Sequence, residues 1–356
     1  MLLFSRIFCS ALIALSLLVS GCGKNVSETG KYLVVNPRAG LANRMRAMAS
    51  AKVMADVSGR KLVIDWQEQP MHFEAAGHIG DLFKTDNILP IESLPPLGIC
   101  DLNCLRNPDM TIPGVVSKYY NVDLDQSNAY TVLPKIGKDT AKIVYLTLTT
   151  NFKPEELSFD EFLPRYKEFY KWIKPIPRIT KAIDNFVRRN FQNRRVVGVH
   201  YRSWTTTGEF PGQESLAPKI STYIKLMQQE LAKDSSTMFY VSADHEEKVK
   251  EISAGIGEDK VITYPVKSRD RKSLEATIEA AIEWYLLGHT EFIIGTFQSS
   301  FSEEAAFMTK EGRKINIGPQ MYPFHSIMCF DDAGNPILRP NATGKYTDPC
   351  LKYSIQ

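Results

Sequence analysis

The sequence predicts an α/β protein built from two successive βα domains, with a cleft between the two halves. Its 356 residues are enough for about two domains of ordinary size. A strand–helix–strand unit spans residues 32–66, and a second alternating series of strands and helices begins at Arg195. Because parallel strands need a crossover connection between them, this alternation indicates a parallel sheet in each half.

The bulk composition is that of a globular protein and argues against a nucleic-acid partner. Hydrophobic residues make up 44% of the chain and charged residues 23%, which are ordinary values. The net charge of +3 is small. Lys and Arg form no dense stripe with interleaved aromatic residues, which nucleic-acid binding favours. We therefore expect no nucleic-acid partner.

Residues 1–22 have the pattern of an export signal. Arg6 is their only charge, and the apolar run that follows is shorter than the about 20 residues of a membrane-spanning helix. The end of the segment, Val19-Ser20-Gly21-Cys22, resembles the lipobox of bacterial lipoproteins. We expect a lipid on Cys22 to tether the exported protein to a membrane. The alternatives are an ordinary cleaved signal peptide and the short signal anchor of a lumenal Golgi-type enzyme.

The N-terminal domain is predicted over residues 31–155, after a polar spacer at 23–30. Short apolar runs bounded by turn residues are typical of buried strands, and a stretch without Gly or Pro is typical of a helix. Residues 67–126 have a weak pattern and are expected to be rich in loops. The predicted elements are a strand at 32–35, a helix at 41–57, and strands at 61–66 and 143–148.

Residues 156–194 are predicted to connect the domains, and residues 195–318 to form the C-terminal domain. The connection contains helical patterns near 162–172 and 178–191. We expect the tail, residues 319–356, to be irregular. The predicted C-terminal elements are strands at 195–200, 238–242, 260–263, 291–295 and 314–317, and helices at 219–232, 246–252, 273–288 and 302–308.

Four cysteines outside the export signal form two pairs that are close in sequence. An even count in an exported protein predicts two disulfides, Cys100–Cys104 and Cys329–Cys350. One zinc site with four thiolates is the alternative. The spacings do not repeat the C-x2-C units of a zinc ribbon, so we favour the disulfides.

Two segments at strand ends contain candidate binding residues. In the first, a turn with Gly40 leads into a helix that carries Asn43, and its backbone N–H groups could face an anion; an ordinary βα turn is the simpler interpretation. In the second, an apolar strand ends in His200-Tyr201-Arg202. Ligands of parallel sheets bind beyond the carboxyl ends of the strands, and the planar fork of Arg suits a phosphate. A surface ion pair beside a core histidine is the alternative.

Two later segments repeat this arrangement. Asp244 follows the strand at 238–242 and could accept hydrogen bonds from a nucleoside, or could cap the next helix. Ser299, Ser300 and Phe301 lie between a strand and a helix. Hydroxyls at a helix N-terminus could bind a pyrophosphate without a metal, whereas a capping box with Ser300 or Ser302 as the cap is the alternative.

Taken together, these segments resemble the superfamily that joins α-1,6-, nodulation-type, bacterial α-1,2- and protein O-fucosyltransferases. The unit from Gly40-Leu41-Ala42-Asn43 to residues 59–66 looks most like the nodulation type. His200-Tyr201-Arg202 is similar to the family's His-x-Arg motif, Ser242-Ala243-Asp244 to its nucleotide-contacting motif, and Ser299-Ser300-Phe301 to its Ser-rich phosphate motif.

The resemblance implies a GT-B fold, with two Rossmann-like domains facing a cleft. It also implies an inverting, metal-independent transfer of fucose from GDP-fucose to a glycan or another hydroxyl acceptor. By this resemblance Arg202 binds the GDP phosphates, with Gly40, Asn43, His200, Asp244, Ser299, Ser300 and Phe301 also at the donor.

The same resemblance points to a catalytic base. A direct displacement needs a base for the acceptor hydroxyl. In the α-1,6 enzymes a Glu in the loop after His-x-Arg fits that role, and Glu209 occupies that loop here. Ser203 stands where those enzymes have a second Arg, which leaves the acceptor and the donor sugar open. Two alternatives are a non-catalytic, membrane-tethered glycan- or nucleotide-binding protein on the same scaffold, and a transferase for another nucleotide sugar.

Overall fold

The computed structural model describes residues 30–68, 75–94, 101–107, 109–121, 127–204, 217–270, 272–319, 326–339 and 349–355. The predicted export signal with Cys22, the greater part of the spacer, Cys100 and Glu209 therefore lie outside the described residues. Two parallel sheets, one in each half of the chain, organise the described part.

The first sheet has five parallel strands in the order β3-β2-β1-β5-β4. These strands are β1 (Tyr32–Pro37), β2 (Lys61–Ile64), β3 (Leu89–Pro90), β4 (Val116–Asn121) and β5 (Ile143–Leu148). Its helices are α1 (Leu41–Ser58), α2 (Ile79–Leu82), α3 (Leu102–Arg106) and α4 (Ser127–Thr131). Helix α1 ends at Gly59, whose φ of 66° is a left-handed conformation that glycine adopts without steric cost.

The second sheet has six parallel strands in the order β13-β10-β9-β6-β7-β8. Its strands are β6 (Val196–Tyr201), β7 (Met238–Ala243), β8 (Val261–Ile262), β9 (Ile293–Thr296), β10 (Lys314–Ile317) and β13 (Ser354–Ile355). The helices of this half, with the connection, are α5 (Phe159–Trp172), α6 (Pro177–Asn190), α7 (Ile220–Lys233), α8 (Glu246–Ile256), α9 (Leu274–Gly288) and α10 (Ser300–Ala306).

The strand order places a topological switch point between β6 and β9. From β6 the chain runs outward to β7 and β8, and then returns to add β9 and β10 on the other side of β6. In open parallel sheets ligands bind at such a switch point, beyond the carboxyl ends of the two strands, which here are β6 and β9. This is the place in the second half where a ligand is expected.

A continuous apolar core joins the two halves. Helix α1 packs against α5 and α10, and one cluster of buried side chains includes residues of both sheets. Its centre is aromatic: Tyr166 lies 5.4 Å from Phe307, and Tyr170 lies 5.7 Å from Trp284, measured between ring centroids. Helix α1 is buried on nearly all sides, which explains its Ala- and Met-rich composition.

The tail is more ordered than the sequence predicts. Strands β11 (Met328–Phe330) and β12 (Pro336–Leu338) form an antiparallel pair, and β13 adds to the edge of the second sheet beside β10. The expectation of an irregular tail is wrong for these residues, because strands of two or three residues carry no readable pattern. The predicted disulfide Cys329–Cys350 is present and encloses the hairpin.

Other boundaries also differ from those predicted. Strand β4 lies in the region expected to be loops. Helix α5 begins at Phe159, three residues before the expected start, because Ser158 and Glu161 form a capping box there. Cys104 is disulfide-bonded. Among the described residues, no helix has both the length and the apolar character that crossing a bilayer requires.

Candidate functional site

The carboxyl ends of β6, β7 and β9 bring three of the predicted segments to one edge of the second sheet. His200 pairs with Ser242 on one side and with Gly295 on the other. Arg202 follows β6, Asp244 follows β7, and the Ser299 turn follows β9. The residues that the sequence suggested separately therefore lie together beside the switch point.

Arg202 and Asp244 form an ion pair at this edge. The guanidinium NH1 lies 3.3 Å from Asp244 Oδ2, and Arg202 is only 8% exposed. The Ser203 amide and hydroxyl also donate to Asp244 Oδ2, at 2.9 and 2.8 Å. The alternative that Asp244 caps α8 is wrong, because the N-cap is His245. Asp244 instead holds the end of β6, including the guanidinium predicted to bind phosphate.

Thr296 ties the ends of β6 and β9 together. Its hydroxyl accepts a hydrogen bond from the Arg202 amide at 2.8 Å and lies 2.7 Å from the Tyr223 hydroxyl. The Tyr223 hydroxyl in turn donates to the His200 carbonyl at 3.2 Å. The sequence did not single out Thr296; its position at the end of a buried strand, before a hydroxyl-rich turn, is the signal that could have found it.

His200 is a buried, neutral imidazole. Burial lowers the pKa of its side chain to about 3. The ring stacks on Phe301 with centroids 5.1 Å apart and planes 26° apart. Its Nδ1 atom has no hydrogen-bond partner among the described residues. At physiological pH this side chain can therefore offer one hydrogen bond to a ligand, but no positive charge.

Two residues that flank the site have left-handed backbone conformations although they are not glycine. Trp204 has a φ of 65° and Gln298 a φ of 58°. Such conformations cost on the order of 1–3 kcal/mol and often accompany functional turns. The Arg202 guanidinium carbon lies 5.5 Å from the centroid of the Trp204 ring, which is itself buried. Trp204 thus covers one side of the guanidinium.

The turn after β9 leads directly into α10, and Ser299 is the N-cap of this helix. Its side chain makes no capping hydrogen bond, so the capping-box alternative with Ser300 or Ser302 as the cap is wrong. The Ser302 hydroxyl instead donates to the Ser299 carbonyl at 3.2 Å. The Ser299 and Ser300 side chains are therefore not committed to capping the helix.

The segment with Gly40 and Asn43 lies in the first half, at the carboxyl end of β1. Gly40 is the N-cap of α1, and Asn43 lies in its first turn. The Asn43 Oδ1 atom is buried and has no hydrogen-bond partner among the described residues. Arg46, one turn further along α1, contacts α10 of the second half through Glu303.

Glu283 is a further carboxyl group near this edge that the sequence did not single out. It is buried in α9, and burial raises the pKa of its side chain to about 7. Arg269 NH1 lies 3.4 Å from Glu283 Oε2. The Glu283 carboxyl group is also hydrogen-bonded to Ser242 at the end of β7. The signal in the sequence is the pair Glu279 and Glu283, one helical turn apart in a largely apolar helix.

The catalytic-base prediction, Glu209, falls on residues that the structure does not describe and stays a prediction. Within the described ranges, no group of three or more His, Cys, Asp or Glu side chains could hold a metal ion. The independence from metals implied by the family resemblance also stays a prediction.

Comparison with known proteins identifies the fold. No protein-family model and no curated protein sequence matches the chain. NodZ α-1,6-fucosyltransferase soaked with GDP-fucose has a TM-score of 0.53 at 16% identity, over 87% of this chain and 100% of NodZ. NodZ from Bradyrhizobium has a TM-score of 0.53 at 18% identity, over 88% of this chain and 100% of NodZ.

Two further fucosyltransferase structures are similar over most of the chain. FUT1 of Arabidopsis thaliana in complex with GDP has a TM-score of 0.56 at 15% identity, over 82% of this chain and 71% of FUT1. POFUT1 in complex with GDP has a TM-score of 0.50 at 10% identity, over 78% and 94%. At these identities the similarity establishes the architecture: the chain has the GT-B fold of the fucosyltransferases.

Proposed function

We propose that the protein is an inverting glycosyltransferase that transfers fucose from GDP-fucose to a hydroxyl acceptor. The observation that carries this proposal is the Arg202–Asp244 pair beside the Ser299 turn, at the switch point of a GT-B fold. The similar NodZ and POFUT1 structures contain GDP or GDP-fucose, which makes a GDP-sugar the first donor to test.

In this proposal Arg202 binds the diphosphate of the donor. Asp244 and the ring of Trp204 limit the orientations of the guanidinium, so little entropy is lost when it binds an anion. Hydroxyls of Ser299 and Ser300 donate to the same diphosphate. The charge that develops on the leaving GDP is then stabilised by a fixed cation and by hydrogen bonds.

The neutral His200 supplies a hydrogen bond to the donor rather than a charge. Its unpartnered Nδ1 is buried, and the ring lies against Phe301 in the first turn of α10. A neutral imidazole keeps the net positive charge at Arg202, where the phosphates bind. Stacking on Phe301 fixes the plane of the ring and therefore the direction of this hydrogen bond.

Recognition of the base needs a carboxylate, because guanine presents adjacent N–H donors. Both oxygens of Asp244 accept hydrogen bonds from the Ser203 amide, and Oδ2 also faces Arg202. Glu283, with Arg269 at the longer distance of 3.4 Å, is the second carboxyl group at this edge. We propose that Glu283, which is protonated in the free protein, releases its proton when guanine binds and accepts from guanine as a carboxylate, while Asp244 orients Arg202.

The acceptor hydroxyl must lose a proton as it attacks the anomeric carbon, and Glu209 is our proposed base. Expected kinetics are loss of transfer in Glu209→Gln with GDP binding retained. Full turnover by this variant would show that another group is the base.

Titration calorimetry with GDP is the first test of the nucleotide site. Losing charge-assisted hydrogen bonds worth roughly 2–3 kcal/mol should raise the dissociation constant of Arg202→Ala about 30- to 150-fold. Arg195→Ala is the matched control, since Arg195 lies at the amino end of β6 and pairs with Glu230. No binding by the wild type, or equal binding by Arg202→Ala, contradicts the proposal.

A panel of nucleotide sugars then tests the donor. Transfer or hydrolysis of GDP-fucose, but not of other GDP- or UDP-sugars, is the expected result. Turnover of a different sugar would favour the alternative donor. Binding of GDP without turnover of any donor would favour the non-catalytic alternative, to which an outward-facing lipoprotein lends weight because GDP-sugars are not expected there.

We also propose that the mature protein is an exported lipoprotein that starts at a lipidated Cys22. The support is the lipobox-like Val19-Ser20-Gly21-Cys22 after a short apolar run. Mass spectrometry of the mature N-terminus distinguishes the possibilities. A diacylated Cys22 is expected, whereas a retained residue 1–22 segment would indicate the Golgi-type signal anchor.

A further inference from the structure

A fully buried cluster of charges connects α1 to α10. Arg46 in α1 has 0% exposure, and its guanidinium makes two ion pairs with α10. Nε lies 2.9 Å from Glu304 Oε1, and NH2 lies 2.9 Å from Glu303 Oε2. The two α10 partners are more than 250 residues away in sequence, so the contact is made between the two halves of the fold.

Groups from two further elements complete the cluster. The hydroxyls of Tyr166 and Tyr170 in α5 donate to Glu304 Oε2, at 2.8 and 2.5 Å. Lys314 in β10 lies with its Nζ 3.9 Å from Glu303 Oε1. Among the described residues, the two cations face two carboxylates, and all four side chains are at most 5% exposed. Removing a single member would leave a buried charge without its counter-charge.

The cluster holds both sides of the turn that connects β9 to α10. On the helix side, the Glu303 amide donates to the Ser299 carbonyl at 3.0 Å. On the strand side, Lys314 Nζ donates to the Thr296 carbonyl at 2.8 Å. Thr296 in turn accepts the amide of Arg202. Both the hydroxyl turn and the backbone of the phosphate-binding arginine are thus linked to the cluster.

Packing around this turn leaves little freedom for it to shift. A Cβ atom added to Gly295 would lie 2.8 Å from Ser302 Oγ and 2.9 Å from Lys314 Cε. A buried ion cluster gains little stability over a well-packed apolar one, whereas its directional hydrogen bonds specify one geometry. A role in geometry therefore explains the charges better than a role in stability.

We propose that Arg46 is a positioning residue of the donor site, acting from the N-terminal half through Glu303 and Glu304. It holds the turn with Ser299 and the end of β6 in a fixed position relative to the N-terminal half. The residues that bind the diphosphate therefore have one arrangement before the donor binds. This inference rests on the proposed function for the identity of the ligand. The linkage itself is independent of that ligand.

The test compares Arg46→Met with a control that breaks a similar pair elsewhere. Arg195→Met removes one of two cationic partners of the buried Glu230, 2.7 Å away, at the amino end of β6; the other partner is Lys233. Both variants are measured by GDP calorimetry well below their melting temperatures. We expect at least a tenfold weaker GDP affinity in Arg46→Met, partial recovery in Arg46→Lys, and wild-type affinity in Arg195→Met. Wild-type affinity in a folded Arg46→Met overturns the proposal.

Hydrogen exchange supplies a readout that needs no ligand. The amides of residues 297–303 should exchange at least tenfold faster in Arg46→Met than in the wild type, but not in Arg195→Met. If the wild type binds no GDP, the proposed function fails, and exchange alone decides the positioning role. If Arg46→Met does not fold, Tyr166→Phe removes one hydrogen bond to Glu304 and should produce the same changes to a smaller degree; no change in exchange overturns the proposal.

Discussion

The buried environment of Glu283 predicts how much the stability of the protein changes with pH. Burial raises the pKa of this carboxyl group to about 7 from the usual 4.5. Between these two values the folded protein holds the proton and the unfolded chain does not. The resulting stabilisation is complete below pH 4.5 and is lost as the pH rises through about 7. Glu283→Gln has no titrating group here and should lack this loss.

The difference of about 2.5 pH units corresponds to roughly 3.5 kcal/mol in the free energy of unfolding, at about 1.4 kcal/mol per unit. The unfolding entropy of globular proteins is about 2.1 cal/mol/K per residue, or about 0.7 kcal/mol/K for a chain of 356 residues. About a quarter of this free energy is already lost at pH 5, so the wild type should lose about 3 °C of melting temperature, relative to Glu283→Gln, between pH 5 and pH 8.

Scanning calorimetry of both proteins at pH 5, 6, 7 and 8 measures this difference. His200 has the opposite effect, since burial lowers the pKa of its side chain to about 3 and its contribution to stability is lost as the pH falls below about 6.5. That contribution is common to both proteins and cancels in the comparison. Parallel melting curves for the two proteins over this range would refute the assignment of Glu283 as a buried, protonated acid.

Two further variants and the reduction of one disulfide test other parts of the structure. Gly295→Ala should weaken GDP binding in calorimetry and change the melting temperature less, because the new Cβ pushes against Ser302 and Lys314 beside the site. A GDP affinity equal to that of the wild type would show that the turn tolerates the displacement. Reducing Cys329–Cys350, which are 21 residues apart, should cost roughly 3 kcal/mol of stability by the loop-entropy relation, measured by thermal unfolding with and without reductant. An unchanged midpoint would contradict that estimate. Asp244→Asn should raise the dissociation constant for GDP about tenfold through loss of the constraint on the guanidinium, and an unchanged constant would remove Asp244 from the site.

The parts of the fold that the sequence predicts are those with strong local patterns. Strands such as β6 are continuous apolar runs that end in turn residues, and α9 has a regular apolar stripe, so both were predicted within two residues. Strand β4 was missed because its polar residues resemble those of a loop. Strand β13 was missed because two residues contain no period.

For the candidate site, the sequence predicts the positions of individual residues but not the contacts between them. His200, Asp244 and Ser299 could be proposed because each follows a strand, and strands of one parallel sheet end at one edge. The pairing of Asp244 with Arg202 could not be predicted, because a carboxylate before a helix equally suggests a cap. The partners of Arg46 could not be predicted either, since nothing local indicates a contact more than 250 residues away.

The last strand, β13, has a consequence for how the protein matures. It pairs with β10 from 38 residues further along the chain, since Asn316 lies beside Ser354, and Gly318 donates its amide to the Ile355 carbonyl. Until residues 354–355 are in place, the outer edge of β10 is an unpaired strand to which other chains can add. Oxidation of Cys350 would then retain the segment beside that edge. Quality control of this protein should therefore depend on residues 354–355 and on the oxidising capacity of the compartment in which it folds.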